Sequence, residues 1–208
     1  VTGSPMKEVV NVNIDKINNS DVLERLGLEP HKYILLSAHR EENIDNEKNF
    51  MSLMNAINTM AEEYDMPVIY SVHPRSAKFI EKRNFEFHPL VKKMQPFSFS
   101  DYNFMQKNAY CVVSDSGTIP EESAVLKFPA VSIRTSTERP EALDMGGFIL
   151  GGITSEQLIQ SVDMAVKMAE NGFCGMTIPA YDNDNVSDMV VRTIQSYVGI
   201  VNDRVWRK

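Results

Sequence analysis

Cysteine is almost absent. Cys111 and Cys174 are the two thiols in 208 residues. They show no metal-ligand spacing, and Cys111 lies inside an apolar run where a buried thiol is the ordinary expectation. A reducing, cytoplasmic setting fits that usage. An excess of basic charge is missing too: Lys and Arg total 21 against 28 Asp and Glu, a net charge of −7. That is the wrong sign for a protein that binds by neutralising a phosphate backbone, so nucleic acid is not an expected partner. No apolar run approaches the length of a bilayer span, and residues 1–20 lack the charged start and apolar middle of a secretion signal. Neither a membrane partner nor export is expected. Internal repeats and low-complexity segments are lacking. So is any cluster of hard oxygen ligands, and the expectation is no metal and no cofactor.

What is present suits one compact domain over residues 1–208: 43% hydrophobic and 24% charged residues allow a full core. The chain opens on Val1, Thr2, Gly3, Ser4 and Pro5, a turn-rich run without Met. It reads as a linker in the middle of a longer protein, and the chain is expected to be a fragment. Short β-branched apolar runs alternate with segments of helical period nearly end to end, the pattern of a parallel sheet flanked by helices. Strands are expected at 33–37, 68–72, 91–95, 110–114, 130–133 and 148–150. The predicted fold is α/β, a doubly wound, Rossmann-like, six-stranded sheet. Residues 47–64 place Phe50, Leu53, Met54, Ile57 and Met60 on one face. Residues 155–170 do the same with Leu158, Ile159, Val162, Val166 and Ala169. A last helix is expected over 186–201.

In such a sheet, ligands bind beyond the carboxyl ends of the strands. The segment after 110–114 runs Asp115, Ser116, Gly117, Thr118, then Pro120 near the start of a helix reaching Lys127. A strand, a tight turn and a helix N-terminus suit a diphosphate, with Gly117 allowing close backbone approach and Ser116 and Thr118 adding hydroxyl donors. The plain alternative is a capping box between Thr118 and Glu121. The two are compatible, since that box leaves Glu122 free to accept from a ribose diol. After 33–37 come His39, Arg40, Glu41 and Glu42 in succession. His39 and Arg40 are suited to hold a diphosphate leaving group, while the two acids equally suit a solvated helix start. His73, Pro74 and Arg75 repeat the theme after the second strand, with a surface turn as the competing reading. Arg134 and Arg139, beside Thr135, Ser136 and Thr137, read as an anion site against the alternative of solvated rim arginines.

The motifs Ala38-His39-Arg40-Glu41-Glu42-Asn43, Asp115-Ser116-Gly117 with Glu121-Glu122, and Thr137-Glu138-Arg139-Pro140-Glu141-Ala142 together resemble the non-hydrolysing UDP-N-acetylglucosamine 2-epimerases. Within them the likeness is to the branch acting on UDP-N-acetyl-deoxyhexosamines, such as the one making UDP-N-acetyl-L-fucosamine for capsule and O-antigen. The resemblance covers the whole chain but only the second half of the family's protein. It implies a two-domain glycosyltransferase-B fold, this chain being similar to the nucleotide-binding second domain, and a homodimer for the full-length protein. It also implies inversion at C2 by anti elimination of UDP to a 2-acetamidoglycal and re-addition on the other face. The C2 acid and base would belong largely to the first domain. By position, His39 would contact the diphosphate or sugar, Ser116, Gly117 and Arg139 the phosphates, Glu122 the ribose, and Tyr102 the uracil. Thr118 departs from the second glycine of many members, and Phe97 from a polar residue near the base in some.

Two rivals stand beside this. A UDP-sugar-dependent glycosyltransferase would share the ribose glutamate and the helix N-terminus, but the cluster from His39 to Glu42 and the stretch 137–142 argue against it. A stand-alone nucleotide-sugar sensor would need a chain complete as it stands.

Overall fold

The computed structural model describes residues 1–134, 136–174 and 177–207. In chain order the elements are α1 (Met6–Asn18), α2 (Val22–Leu26), β1 (Ile34–Ser37), α3 (Glu41–Ile44), α4 (Glu47–Tyr64), β2 (Val68–Ser71), α5 (Pro74–Lys82) and β3 (Val91–Met94). They continue as α6 (Phe99–Asn108), β4 (Cys111–Ser114), α7 (Ile119–Leu126), β5 (Ala130–Ser132), α8 (Pro140–Asp144), β6 (Ile149–Leu150), α9 (Ser155–Glu170) and α10 (Val186–Val201). All six strands pair in parallel in the order β3-β2-β1-β4-β5-β6. This is the doubly wound α/β sheet expected. The direction of winding reverses between β1 and β4, so a crevice opens where their carboxyl ends diverge.

Both faces of the sheet are covered, which is why its inner strands read as unbroken apolar runs rather than alternating ones. Ile34 and Leu36 of β1, Tyr70 of β2 and Val113 of β4 pack with Phe50, Leu53 and Ile57 of α4 and Leu158 and Val162 of α9. Leu35, Ile69 and Val112 face the other way, onto Val10 and Ile17 of α1, Met105 of α6 and Ile119 of α7. At one edge, β3 exposes Lys92 and Lys93, charges that discourage pairing with another strand. Each strand is one residue shorter than expected from the sequence. Of the excess residues, Tyr33, Val72, Tyr110 and Ile133 still make single ladder-like bonds, such as Val72 N–H to the Met94 carbonyl at 2.9 Å.

α4, α9 and α10 begin and end where the periodicity placed them. Asn46 caps α4, its side chain accepting from the Asn49 N–H, and Thr154 caps α9 through the Gln157 N–H. In α10 Val186 is buried, while Val190, Val191, Ile194, Tyr197 and Val198 are exposed. The opening segment is tied down. Ser4 N–H bonds the Ala180 carbonyl at 2.8 Å, and Gly3, at φ +84°, has that same oxygen 2.5 Å from where a Cβ would stand, so a side chain there is excluded twice over. No described helix is long and apolar enough to cross a membrane.

Candidate functional site

The loops after β1 and β4 meet at the reversal point and are joined by one residue, Asp115. Its side chain is wholly buried, and a buried carboxylate is tolerated only with donors around it. The β1 loop supplies them. Asp115 accepts from His39 N–H at 2.9 and 3.1 Å, from Arg40 N–H at 2.8 Å and from Asn43 Nδ2 at 3.2 Å. The Arg40 Nε donates to the Asp115 carbonyl at 2.9 Å. Asn43 also reaches the Ile133 carbonyl at 3.0 Å, so the ends of β1, β4 and β5 are locked together.

On this frame His39 and Arg40 stand beside the turn that starts α7. The His39 ring is 40% exposed with Nδ1 at 3.2 Å from Asp115 Oδ1, and the His73 ring lies 5.6 Å away, centroid to centroid. The Arg40 Nη2 sits 3.3 Å from the position a Cβ would take on Gly117. The missing side chain of Gly117 thus lets the guanidinium come close to the backbone, and Glu138 Oε2 lies 3.9 Å from the same point. The N–H groups of Gly117 and Ile119 bond no described residue. With Pro120 contributing none, the first turn of α7 presents its positive end to the crevice. Ser116 Oγ lies 2.9 Å from Thr118 Oγ1.

The capping-box alternative does not hold. Thr118 adopts helical angles, φ −94° and ψ −8°, and makes no side-chain cap. Its hydroxyl therefore points along the helix and donates to Glu122 Oε1 at 2.7 Å. Glu121, the other half of the expected box, is buried and accepts from Ser4 Oγ at 2.5 Å and Arg139 Nε at 2.7 Å. Nor is Glu122 left without partners, since its second oxygen accepts from Gln106 Nε2 at 2.5 Å. Burial raises the Glu122 pKa, against the pull of the Gln106 and Thr118 bonds and with a further push from Glu121. Tyr102 approaches from α6 with its hydroxyl toward Ser37 and Ser114 at the strand ends, and burial raises its pKa as well.

Arg75 is taken up differently from the expectation of a guanidinium aimed at the crevice: Glu41 holds it at 2.8 Å and Asp45 at 2.6 and 3.2 Å. Its neighbour His73 caps α5, accepting from Arg75 N–H. Two carboxylates at bonding distance neutralise Arg75, whereas Arg40 meets one, Glu138, through Nη1 and turns Nη2 toward Gly117. Of the expected anion site at the fourth junction, Thr135 lies outside the described residues. Arg134 is 3% exposed and gripped through both terminal nitrogens by Glu138 at 2.6 and 2.7 Å. That carboxylate also reaches Arg40 at 3.3 Å, and the Arg134 pairing holds its pKa down to about 2. A cleft of about 790 Å³ opens on the Arg139 side, lined by Ser4, Met6, Phe99, Thr118, Arg139 and Tyr181 among others. Its size suits a small-molecule ligand.

Sequence reasoning passed over Asp115, Asn43, Gln106 and Glu138 as individual site residues. Asp115 and Asn43 carried a signal, being polar residues at the mouths of apolar strands within two motifs. Gln106 had none, because only the packing of α6 on α7 brings it to Glu122.

The chain is similar to known proteins throughout. The profile of a family described as UDP-N-acetylglucosamine 2-epimerase matches residues 1–195. The UDP-N-acetylglucosamine 2-epimerase of Methanocaldococcus jannaschii is 32% identical over 165 residues, covering 77% of this chain and 43% of that protein. Among solved structures, the UDP-N-acetylglucosamine 2-epimerase of Rickettsia bellii superposes on 100% of this chain and 56% of its own, at a TM-score of 0.84 and 34% identity. The M. jannaschii UDP-GlcNAc 2-epimerase in complex with UDP-GlcNAc and UDP gives 0.82 and 26%, over 94% and 54%. The chain therefore spans about half the length of the relatives it matches, and the glycosyltransferase-B type of these neighbours agrees with the fold expected. A crevice at the sheet's reversal point, lined by the same three motifs that carried the resemblance, sits in a chain matched along residues 1–195, and the chain belongs to the UDP-N-acetylglucosamine 2-epimerase family.

Proposed function

We propose that this chain is the nucleotide-holding half of a UDP-N-acetylhexosamine 2-epimerase, an isomerase that inverts C2 of the sugar by eliminating and re-adding UDP. The observation that carries the reading is the junction of the β1 and β4 loops. There the Arg40 guanidinium faces the open backbone at Gly117 and the first turn of α7, with His39 alongside. A diphosphate seated there gains a fixed positive charge and unoccupied N–H donors. These are set before the reaction begins, the arrangement that most lowers the barrier to an anionic leaving group. Glu122, one turn into α7, is placed to accept from ribose hydroxyls in exchange for its present Thr118 and Gln106 donors. Tyr102 is the aromatic beside the base, and Arg139 a second cation for the phosphates. The M. jannaschii relative solved with UDP-GlcNAc and UDP supports the same ligand class here.

Removal of the C2 proton needs a base of raised pKa in a closed cleft, and the reading assigns it to the half that this chain does not span. The chain alone is then a UDP binder and not a catalyst. The finer reading, a deoxyhexosamine substrate for surface polysaccharide, rests on Thr118. It predicts that the full-length enzyme turns over the 6-deoxy-L-talosamine and -fucosamine pair in preference to the glucosamine and mannosamine pair.

Calorimetric titration with UDP, and with ADP as control, tests the main reading. Saturable UDP-selective binding, weakened by about 1–3 kcal/mol in Glu122→Ala as for a hydrogen-bonded charged group, is expected. Equal indifference to both nucleotides, or UDP affinity unchanged in the variant, would remove the assignment of this crevice.

A further inference from the structure

We infer that Glu121 is a positioning residue: it holds Arg139 by Nε alone and so keeps both terminal nitrogens of that guanidinium open to a phosphate. The inference deepens the reading that Arg139 meets the phosphates of a nucleotide, and rests on it for the identity of the anion.

Glu121 sits in the first turn of α7 and is buried. A carboxylate in such a place persists only with donors on its oxygens. Arg139, at the start of α8, donates from Nε to Oε1 at 2.7 Å, and Ser4, in the opening segment, donates from Oγ to Oε2 at 2.5 Å. The terminal nitrogens of Arg139 bond no described residue, and its side chain is 36% exposed. With Nε turned to the buried acid, the exposed part is the terminal fork. It stands in the wall of the cleft of about 790 Å³, which Thr118 also lines.

A carboxylate that served only to neutralise an arginine would take the fork itself. Glu138 does so to Arg134, gripping both terminal nitrogens at 2.6 and 2.7 Å. Glu41 and Asp45 likewise occupy the terminal nitrogens of Arg75. At Arg139 the acid takes the side-on position instead, and Ser4 keeps it there. Ser4 is itself fixed, its N–H on the Ala180 carbonyl at 2.8 Å and its Oγ accepting from Met6 N–H at 3.1 Å, so Glu121 Oε2 is anchored away from the fork. The Glu121–Arg139 pair is neutral as a whole. An anion therefore meets two directed N–H donors rather than a free charge, in the planar geometry that matches a phosphate.

The test begins on the 208-residue chain without nucleotide, with solvent exchange of the Arg139 Nε–H followed by ¹⁵N NMR and assigned by its loss in Arg139→Lys. Slow exchange in the wild type and fast exchange in Glu121→Leu are expected. Wild-type exchange as fast as that of a solvated arginine overturns the inference. UDP and uridine are then titrated. Glu121→Leu should weaken UDP about tenfold, the scale of a hydrogen bond to a charged group, and leave uridine unchanged. Added to Arg139→Ala, it should cause no loss beyond that of Arg139→Ala alone. A folded Glu121→Leu chain with wild-type UDP affinity, an equal loss for UDP and uridine, or a double variant showing the sum of the two losses overturns the inference. If Glu121→Leu does not fold, Arg139→Lys decides. Lysine keeps the charge without a fork, and Glu121 draws in its ammonium, so UDP should bind as weakly as to Arg139→Ala; wild-type affinity overturns the inference. A chain that protects the Arg139 Nε–H yet binds neither UDP nor uridine removes the nucleotide reading, and the same cycle run with inorganic pyrophosphate then decides the role of Glu121.

Discussion

At the scale of single residues, Gly117 and Glu122 divide binding from stability. A methyl on Gly117 would stand 3.3 Å from the far end of the Arg40 side chain, which can yield. Gly117→Ala is expected to change stability by less than about 1 kcal/mol, a surface-like effect, yet to weaken UDP binding about tenfold or more, roughly 1.4 kcal/mol, by displacing the guanidinium and crowding the backbone N–H beside it. Thermal melts beside titrations check both, and wild-type affinity would take Gly117 out of the anion seat. Glu122 runs the other way. Its folded pKa is raised, chiefly by burial, so between the ordinary carboxylate range and that raised value the native state holds more protons than the unfolded one. Stability contributed by the protonated form is therefore lost as pH climbs through that window. Glu122→Gln removes the ionisation, and Gln106 Oε1, which lacks a partner, can accept from the new amide after a flip. The variant should melt no lower than wild type at neutral pH, with a flatter pH dependence just above the carboxylate range, while UDP affinity falls. A marked loss of stability at neutral pH would contradict this sign. His39, Arg40, Ser116, Gly117 and Glu122 were legible as candidates because each lies in a strand-to-loop junction dense in chemistry. What each one touches was not. Thr118 and Glu121 match a capping box by spacing, and the backbone angles of Thr118 sent its hydroxyl to Glu122 instead.

At the scale of elements, helical period and caps agree. The α4 helix carries its apolar residues on one face, begins at Asn46, whose side chain accepts from Asn49 N–H, and turns out at Asp65 with φ +46°. Asn46→Ala leaves that N–H without its acceptor and is expected to cost about 1 kcal/mol, lowering the melting temperature by roughly 2–4 °C for a domain of this size. An unchanged melt would show the cap to be replaced by water. The α4 and α9 helices meet on the same sheet face, joined at their margin by Tyr64 Oη to Asp163 at 2.8 Å, while Ser52 Oγ donates at 2.9 Å to the carbonyl of Ile153 in the segment before α9. Their amphipathic stripes announced a buried face. Which helix shares which side of the sheet came from the crossover connections.

At the scale of the whole molecule, the sheet and its two helix layers form the stable body, and α10 adds little to it. Of its residues only Val186 is buried, so deleting the chain after Ser187 should shift the melting temperature by no more than a few degrees, since about 1 kcal/mol corresponds to roughly 2–4 °C here. Collapse of the fold on that deletion would mean that α10 packs on the domain in solution. The sequence by itself determined the class of fold, the six strands to within a residue, the long helices and the junctions where ligand chemistry gathers. Each of these follows from local rules: period, β-branching, turn residues and the density of polar groups after an apolar strand. Only the tertiary structure decided that β1 and β4 are neighbours, that Asp115 therefore holds His39 and Arg40 across 76 and 75 residues of chain, and that Arg75 is spent on Glu41 and Asp45. Long-range pairing is set by which strand lies beside which, and strand order leaves no mark on the local pattern of residues.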